Sequence, residues 1–223
     1  MVAWAGAALF FLSLVHFVWR YFVTFGAPAP TGASLQPALI NFGLFTIFAV
    51  HHSALARTRA KGWISRFAGE HERTAYVWVA SLLFLSVAYF WRPVGGVLWH
   101  LHGWTAGIVW AGEAAGVALT AWSAAALGVL ELSGVRPPRS VGPGDLRSDG
   151  PYGLVRHPIY FAWLLLVWSV PFMNGTRLSF AAISTLYLVV AVPFEERSLV
   201  AHFGPAYAEY QKKVRWRMLP LVW

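Results

Sequence analysis

Long apolar stretches separated by short polar ones set the pattern of this chain. They place candidate membrane spans at roughly 2–23, 36–56, 74–91, 104–130, 159–173 and 176–194. The fifth stretch is short, and the segment "PFMNGT" after it reads as a tight turn, so the last two stretches form a helical hairpin. The pattern predicts an all-α fold, a polytopic transmembrane helix bundle of about six spans. The N-terminal stretch lacks a basic leader and is followed by the proline-rich "GAPAP", which reads as a first helix rather than a cleaved signal peptide. Residues 195–223 differ in kind. They read as a short amphipathic helix, a break at Gly204-Pro205 and a second helix, too polar to span and suited to the membrane interface.

Composition strengthens the membrane reading. Of the 223 residues 58% are hydrophobic and only 12% charged, against about 25% charged in soluble domains. Thirteen Trp and eight Tyr suit the two lipid–water interfaces. The absence of cysteine excludes disulfides, thiolate catalysis and Cys-ligated zinc. The net charge of +8 is accounted for by helix orientation and anionic headgroups rather than nucleic acid. Fourteen of the 17 Lys and Arg fall in segments 57–73 and 131–158 and in the tail; only Arg20, Arg92 and Arg177 fall on or near the opposite side. By the positive-inside rule both termini and those two loops are cytoplasmic, and a cofactor from the cytosol would meet the chain there.

Four places carry candidate chemistry. The first is "GPYGLVRHPIY" (150–160). Pro158 suits the first turn of a helix and His157 its N-cap. Such a helix start directs free N–H groups and a positive dipole end at an anion, with Arg156 adding charge and Tyr152 and Tyr160 offering rings. A plainly capped, interface-anchored helix has the same features. The second is Glu195-Glu196, where adjacent helical positions point about 100° apart. One carboxylate suits a cationic ligand group and the other a basic residue of the tail; the alternative is a solvated helix end. The hairpin brings the two places together. A helix N-terminus for a carboxylate and a carboxylate for an ammonium describe an amino-acid zwitterion, which S-adenosylmethionine carries. The third is Glu113 in the fourth span, costly in lipid. It is either a polar contact between helices, with His16, His51 or His52 as partners, or a substrate contact. The fourth is His51-His52; adjacent His diverge on a helix and no third ligand is evident, so no metal is expected. Soluble-enzyme signatures such as Walker A, G-x-S-x-G and H-E-x-x-H are missing.

"GPYGLVRHPIY", the hairpin, "EERSLVAHFGPAYAEYQKKV" and "LP" together resemble the C-terminal signature of the membrane-integral methyltransferases, over roughly 145–220. That superfamily includes the isoprenylcysteine carboxyl methyltransferases, phospholipid N-methyltransferases and methanethiol S-methyltransferases. The resemblance implies S-adenosylmethionine in a cytoplasmic pocket closed by the amphipathic tail. It implies Tyr152, Arg156, His157, Pro158, Ile159, Tyr160 and Glu195 as cofactor contacts, with "GDLR" (144–147) as a poorer match to a further lining stretch. Arg156 is the candidate orienting residue, and Glu113, His52 and Glu196 are candidate substrate residues. One departure counts against an isoprenylcysteine substrate: Ala191 stands where those enzymes carry an arginine. "HHSALARTRAKGW", "ERTAYVWVASL" and "FWRP" are similar to the front halves of methanethiol S-methyltransferases and NnrU-type membrane proteins.

The expected activity is methyl transfer from S-adenosylmethionine to a small or lipophilic acceptor, with a thiol ahead of a prenylcysteine carboxylate or a lipid amine. The alternatives are an NADPH-dependent sterol-type reductase and a non-catalytic NnrU-like protein. The expected division is a front part, 1–130, shaping the acceptor side and a cofactor-binding part, 131–223. The expected location is a bacterial inner membrane. The acceptor's identity and the oligomeric state are not legible.

Overall fold

The computed structural model describes residues 1–28, 35–55, 72–136 and 146–223. The basic residues Arg57, Arg59, Lys61, Arg66 and Arg139, and the first half of "GDLR", lie outside the described residues. The chain forms α1 (Val2–Trp19), which runs into a π turn (Arg20–Thr24), then α2 (Leu35–Leu55), α3 (Glu72–Phe90), β1 (Val97–His100) and α4 (Gly103–Leu127). A 3-10 turn (Gly150–Gly153), α5 (Pro158–Trp168), β2 (Phe172–Asn174), α6 (Gly175–Phe203) and α7 (Pro205–Lys213) follow. Among the described residues α1 with its π turn, α3, α4 and α6 are each long and apolar enough to cross a membrane. Large apolar side chains such as Trp4, Leu12, Val15, Ile108, Trp110 and Val117 are exposed on these helices, as lipid contact requires and water does not favour. This is an integral membrane helix bundle.

Three expectations are adjusted. The fifth stretch forms a helix of only 11 residues, about 16 Å long, half of a hydrocarbon core of about 30 Å. The segment read as a tight turn contains β2, which pairs antiparallel with β1 in the register Val97↔Asn174, Trp99↔Met173 and His100↔Phe172, with an irregularity between Val97 and Trp99. The last span does not stop at 194: α6 continues to Phe203 with Pro193 inside it. The break expected at Gly204-Pro205 is there. Gly204 has φ +56, a left-handed backbone that glycine adopts without a Cβ penalty, and Pro205 opens α7.

The chain forms two compact units whose segments interleave along the sequence. One contains Met1–His100, Leu130–Pro137 and Phe172–Ser184; the other contains Leu101–Val129, Pro138–Pro171 and Thr185–Trp223. In the first unit Phe180 sits amid aromatic rings, with centroids 5.0 Å from Phe17, 5.7 Å from Tyr21, 5.8 Å from Phe25 and 5.0 Å from Trp91. Asn174 caps α6 by accepting the Arg177 amide at 3.0 Å, while its Nδ2 donates to the Phe25 and Ala27 carbonyls. The buried Arg177 donates to the carbonyls of Tyr21, Phe22 and Phe172 at 2.6–3.1 Å. These oxygens satisfy the cation where no water reaches it.

In the second unit α4 packs closely on α5. A Cβ built on Gly116 would stand 2.9 Å from the Ala162 carbonyl oxygen and 3.0 Å from the Leu166 amide nitrogen. Small residues let helix backbones approach in this way. Gly116→Val therefore destabilises the fold by about 1–3 kcal/mol through overpacking. Gly107→Ala, at a position on the same helix with open space around it, leaves stability unchanged or slightly raised. Thermal unfolding in detergent followed by tryptophan fluorescence compares the two, and equal midpoints would contradict the close α4–α5 approach.

Candidate active site

The candidate residues of "GPYGLVRHPIY" and Glu195-Glu196 all lie in the second unit. Pro158 is the first residue of α5 and His157 its N-cap. The tail runs beside this start. The Arg156 and His157 amides donate to the Trp216 and Arg217 carbonyls at 2.9 and 2.8 Å. The Tyr160 and Phe161 amides both turn back to the His157 carbonyl, and Pro158 has no amide to offer. The first turn of α5 therefore presents little more than the Ile159 amide, fewer free donors than a helix N-terminus ordinarily provides.

A buried ionic cluster holds the region together. Arg156 Nε donates to Glu196 Oε1 at 2.6 Å, and both side chains are about 5–6% exposed. Arg156 Nη1 donates to the Val214 and Arg215 carbonyls, each at 2.7 Å. Arg217 Nε donates to Glu196 Oε2 at 3.0 Å and lies over the Trp223 ring. His157 Nε2 stands 3.5 Å from Glu196 Oε1 and its Nδ1 3.9 Å from Glu195 Oε1. Two charges out of water are tolerable only when paired and hydrogen-bonded in this way. Arg156 and Glu196, named from the sequence as a cofactor residue and a substrate residue, are thus committed to each other and to the tail. Neither presents a free charged face.

Glu195 differs from its neighbour. Its side chain is 42% exposed, and one oxygen accepts the Tyr160 hydroxyl at 2.7 Å. The Tyr160 ring lies parallel to His157, with centroids 5.3 Å apart and planes 4° apart. Tyr152 and Ile159 are half-buried and Pro158 is buried. The Tyr152 carbonyl accepts the Tyr210 hydroxyl at 2.7 Å. Burial pushes the Tyr207 and Tyr210 hydroxyls up from their ordinary range, so both stay protonated at any physiological pH. The buried His157 Nε2 and Tyr207 hydroxyl have no hydrogen-bond partner among the described residues. The open Glu195 carboxylate, fixed by a phenol and flanked by aromatic rings, suits a ligand with a cationic end and a flat ring system.

The remaining candidates stand elsewhere. Glu113 is buried on α4 in the second unit. His52 belongs to the first unit, where its Nδ1 lies 3.0 Å from the Tyr76 hydroxyl and its ring stacks on Phe48. No cluster of metal-ligating side chains occurs among the described residues. Sequence reasoning missed Arg217, Tyr207 and Tyr210 as members of the site. The available signal was the need of a buried carboxylate for a cation, but nothing in the tail said which of its basic residues would answer.

No family model matches the chain, and no solved structure matches it. It is similar to methanethiol S-methyltransferase 2 of Bradyrhizobium diazoefficiens, 31% identical over 96% of this chain and 86% of that protein. It is also similar to the methanethiol S-methyltransferase of Crocosphaera subtropica, 32% identical over 90% of this chain and 82% of that protein. The chain belongs to the methanethiol S-methyltransferase family. Human Nurim is a more distant relative, 28% identical over 74% of this chain and 69% of its own length.

Membership makes this chain an integral-membrane methyltransferase, and the sterol-reductase and accessory-protein alternatives are not favoured. A methyltransferase of this family needs a site for a methyl donor; the ionic cluster, for its part, ties the start of α5, Glu196 of α6 and the tail together. Removing one member leaves a buried charge unpaired. Arg156→Met therefore destabilises the protein by about 3–5 kcal/mol, and Arg156→Met combined with Glu196→Leu recovers part of that loss. Thermal midpoints of the two variants in detergent test this, and a double variant no better than the single one would count against it.

Proposed function

We propose that this membrane methyltransferase transfers the methyl group of S-adenosylmethionine to a small thiol, with the donor bound at the second unit. The observation that carries the reading is Glu195: a carboxylate left open beside a buried ionic cluster and oriented by Tyr160. In this reading it complements the ammonium end of the donor, and the Tyr160 and Tyr152 rings are assigned to the adenosine. The Ile159 amide and the buried Tyr207 hydroxyl, which has no hydrogen-bond partner among the described residues, are assigned to its carboxylate and ribose oxygens. Arg156 acts as a positioning residue, since its guanidinium holds Glu196 and the tail rather than a ligand.

When bound, S-adenosylmethionine supplies a methyl group already activated on a sulfonium, so the chain's task is proximity, orientation and exclusion of water. The thiol is taken as acceptor from the names of the relatives. Its sulfur must arrive as thiolate in line with the methyl carbon; the new S–C bond forms as the sulfonium S–C bond breaks, its electron pair staying on the departing sulfur. Both termini and the donor site are assigned to the cytoplasmic side of a bacterial inner membrane, following the basic residues of the tail.

The purified protein is incubated with methyl-labelled S-adenosylmethionine and, separately, methanethiol, a prenylcysteine and a lipid amine. Labelled dimethyl sulfide from methanethiol alone is the expected product. Glu195→Gln raises the donor's KM about ten-fold by removing a charge-assisted contact. Tyr160→Phe raises it less, with kcat for methanethiol affected little. Donor binding that neither substitution weakens would sink the assignment of this site, and methylation of only the other acceptors would sink the thiol.

A further inference from the structure

Beside the ionic cluster a cleft of about 340 Å³ is lined by Pro193, Glu196, Arg197, Val200, Gln211 and Arg217. All of these belong to the second unit. The volume falls within the range of ligand sites, about 300–1,000 Å³. Its charge is unbalanced. Glu196 is already neutralised by Arg156 and Arg217. Arg197 lies over the Phe194 ring and has no carboxylate partner among the described residues. The cleft therefore presents a surplus cation to an anion.

The helix that forms the cleft wall says what kind of anion. On α6, Leu186, Val190, Pro193, Arg197 and Val200 follow the i, i+4, i+7, i+11, i+14 spacing, within an arc of about 80°. Leu186, Val190 and Val200 are exposed, as are the flanking Val189 and Phe194. An apolar stripe open to lipid thus runs along a membrane-crossing helix to a guanidinium at the cleft. A guanidinium stacked on an aromatic ring at the end of a lipid-facing stripe is placed as interfacial arginines are, stem in the apolar region and head at the phosphates. Acyl chain along the stripe and phosphate in the cleft is the one arrangement that uses both features. Water-soluble anions leave the stripe without an occupant.

We propose that this cleft binds the phosphate headgroup of a membrane phospholipid through Arg197, with an acyl chain along the Leu186–Val190–Phe194 face. The bound lipid is separate from the methyl acceptor; Glu196 and Arg217 are shared with the ionic cluster, while Arg197, Val200 and the apolar stripe are among none of the residues assigned to the donor. It would brace the junction of α6 with the tail, since residues of both line the cleft.

The test is native mass spectrometry of the full chain, delipidated in detergent and titrated with phosphatidylglycerol. The expected result is one retained lipid per chain. Arg197→Gln weakens it about five-fold, the effect of one interfacial cation, and Val200→Trp, which fills the cleft, removes it. S-adenosylmethionine affinity, measured in parallel, stays unchanged in both variants. Dioleoylglycerol, which lacks the phosphate, and glycerol 3-phosphate, which lacks the chains, both fail to compete at equal concentration. Lipid retention insensitive to both substitutions would overturn the proposal, as would equal binding of either competitor. Loss of S-adenosylmethionine affinity in the variants would instead assign the cleft to the donor.

Discussion

A single buried ion pair, Arg156 with Glu196, organises the second unit. Both groups are almost wholly removed from water, where an unpaired charge is prohibitively costly. The guanidinium answers by filling its remaining donors with two carbonyls of the tail, and the carboxylate by taking Arg217 from the same segment. Three pieces of chain distant in sequence are tied at one point: the start of α5, the last third of α6 and the residues after α7. The backbone bonds from Arg156 and His157 to Trp216 and Arg217 run alongside. Helix periodicity then separates the roles of the two glutamates. With Glu196 turned into the cluster, Glu195 is rotated about 100° away, so the same helix supplies one structural and one open carboxylate.

The first unit solves a related problem without a carboxylate. Arg177 is buried and is satisfied by three backbone oxygens. Two of them, from Tyr21 and Phe22, belong to the π turn that ends α1. A π turn and a helix terminus both leave carbonyls without ordinary helical donors, and a cation is a suitable cap for them. Asn174 does the same at the start of α6, with its oxygen capping the helix and its nitrogen reaching Phe25 and Ala27. The polar side chains in this apolar protein are thus largely backbone-satisfying devices, as expected where no water competes. Against that background the half-buried Glu195 and the exposed Arg197 stand out. One carries an open negative charge beside aromatic rings, and the other a surplus positive charge at the end of a lipid-facing stripe.

Much of the architecture was legible from the chain alone. Membrane helices declare themselves by length and apolarity, so α1, α3, α4 and α6 were recognisable from hydropathy. Gly204-Pro205 declared its break because both residues restrict the backbone in known ways. Helix geometry also said that Glu195 and Glu196 could not serve one site equally, one suiting a basic residue of the tail and the other a cationic ligand group, with a solvated helix end as the alternative. Family membership agrees with the dense motifs read at "GPYGLVRHPIY" and "EE".

Other features depended on long-range partners that no local pattern encodes. The short α5 and the small sheet arise because Phe172–Asn174 pairs with Val97–His100, some seventy residues earlier in the chain; without that partner the segment reads as a simple turn. The sequence shows Arg156 as a charge but not that the buried Glu196 is its counter-charge. Nor does it show that Glu196 meets both Arg156 and Arg217, or that the tail and the first turn use most of the amides at the start of α5. Periodicity and hydropathy determine which elements exist and which face lipid. Which charges remain free is decided only when the tertiary structure closes, because burial makes every charge find a partner and leaves for ligands only those that have none.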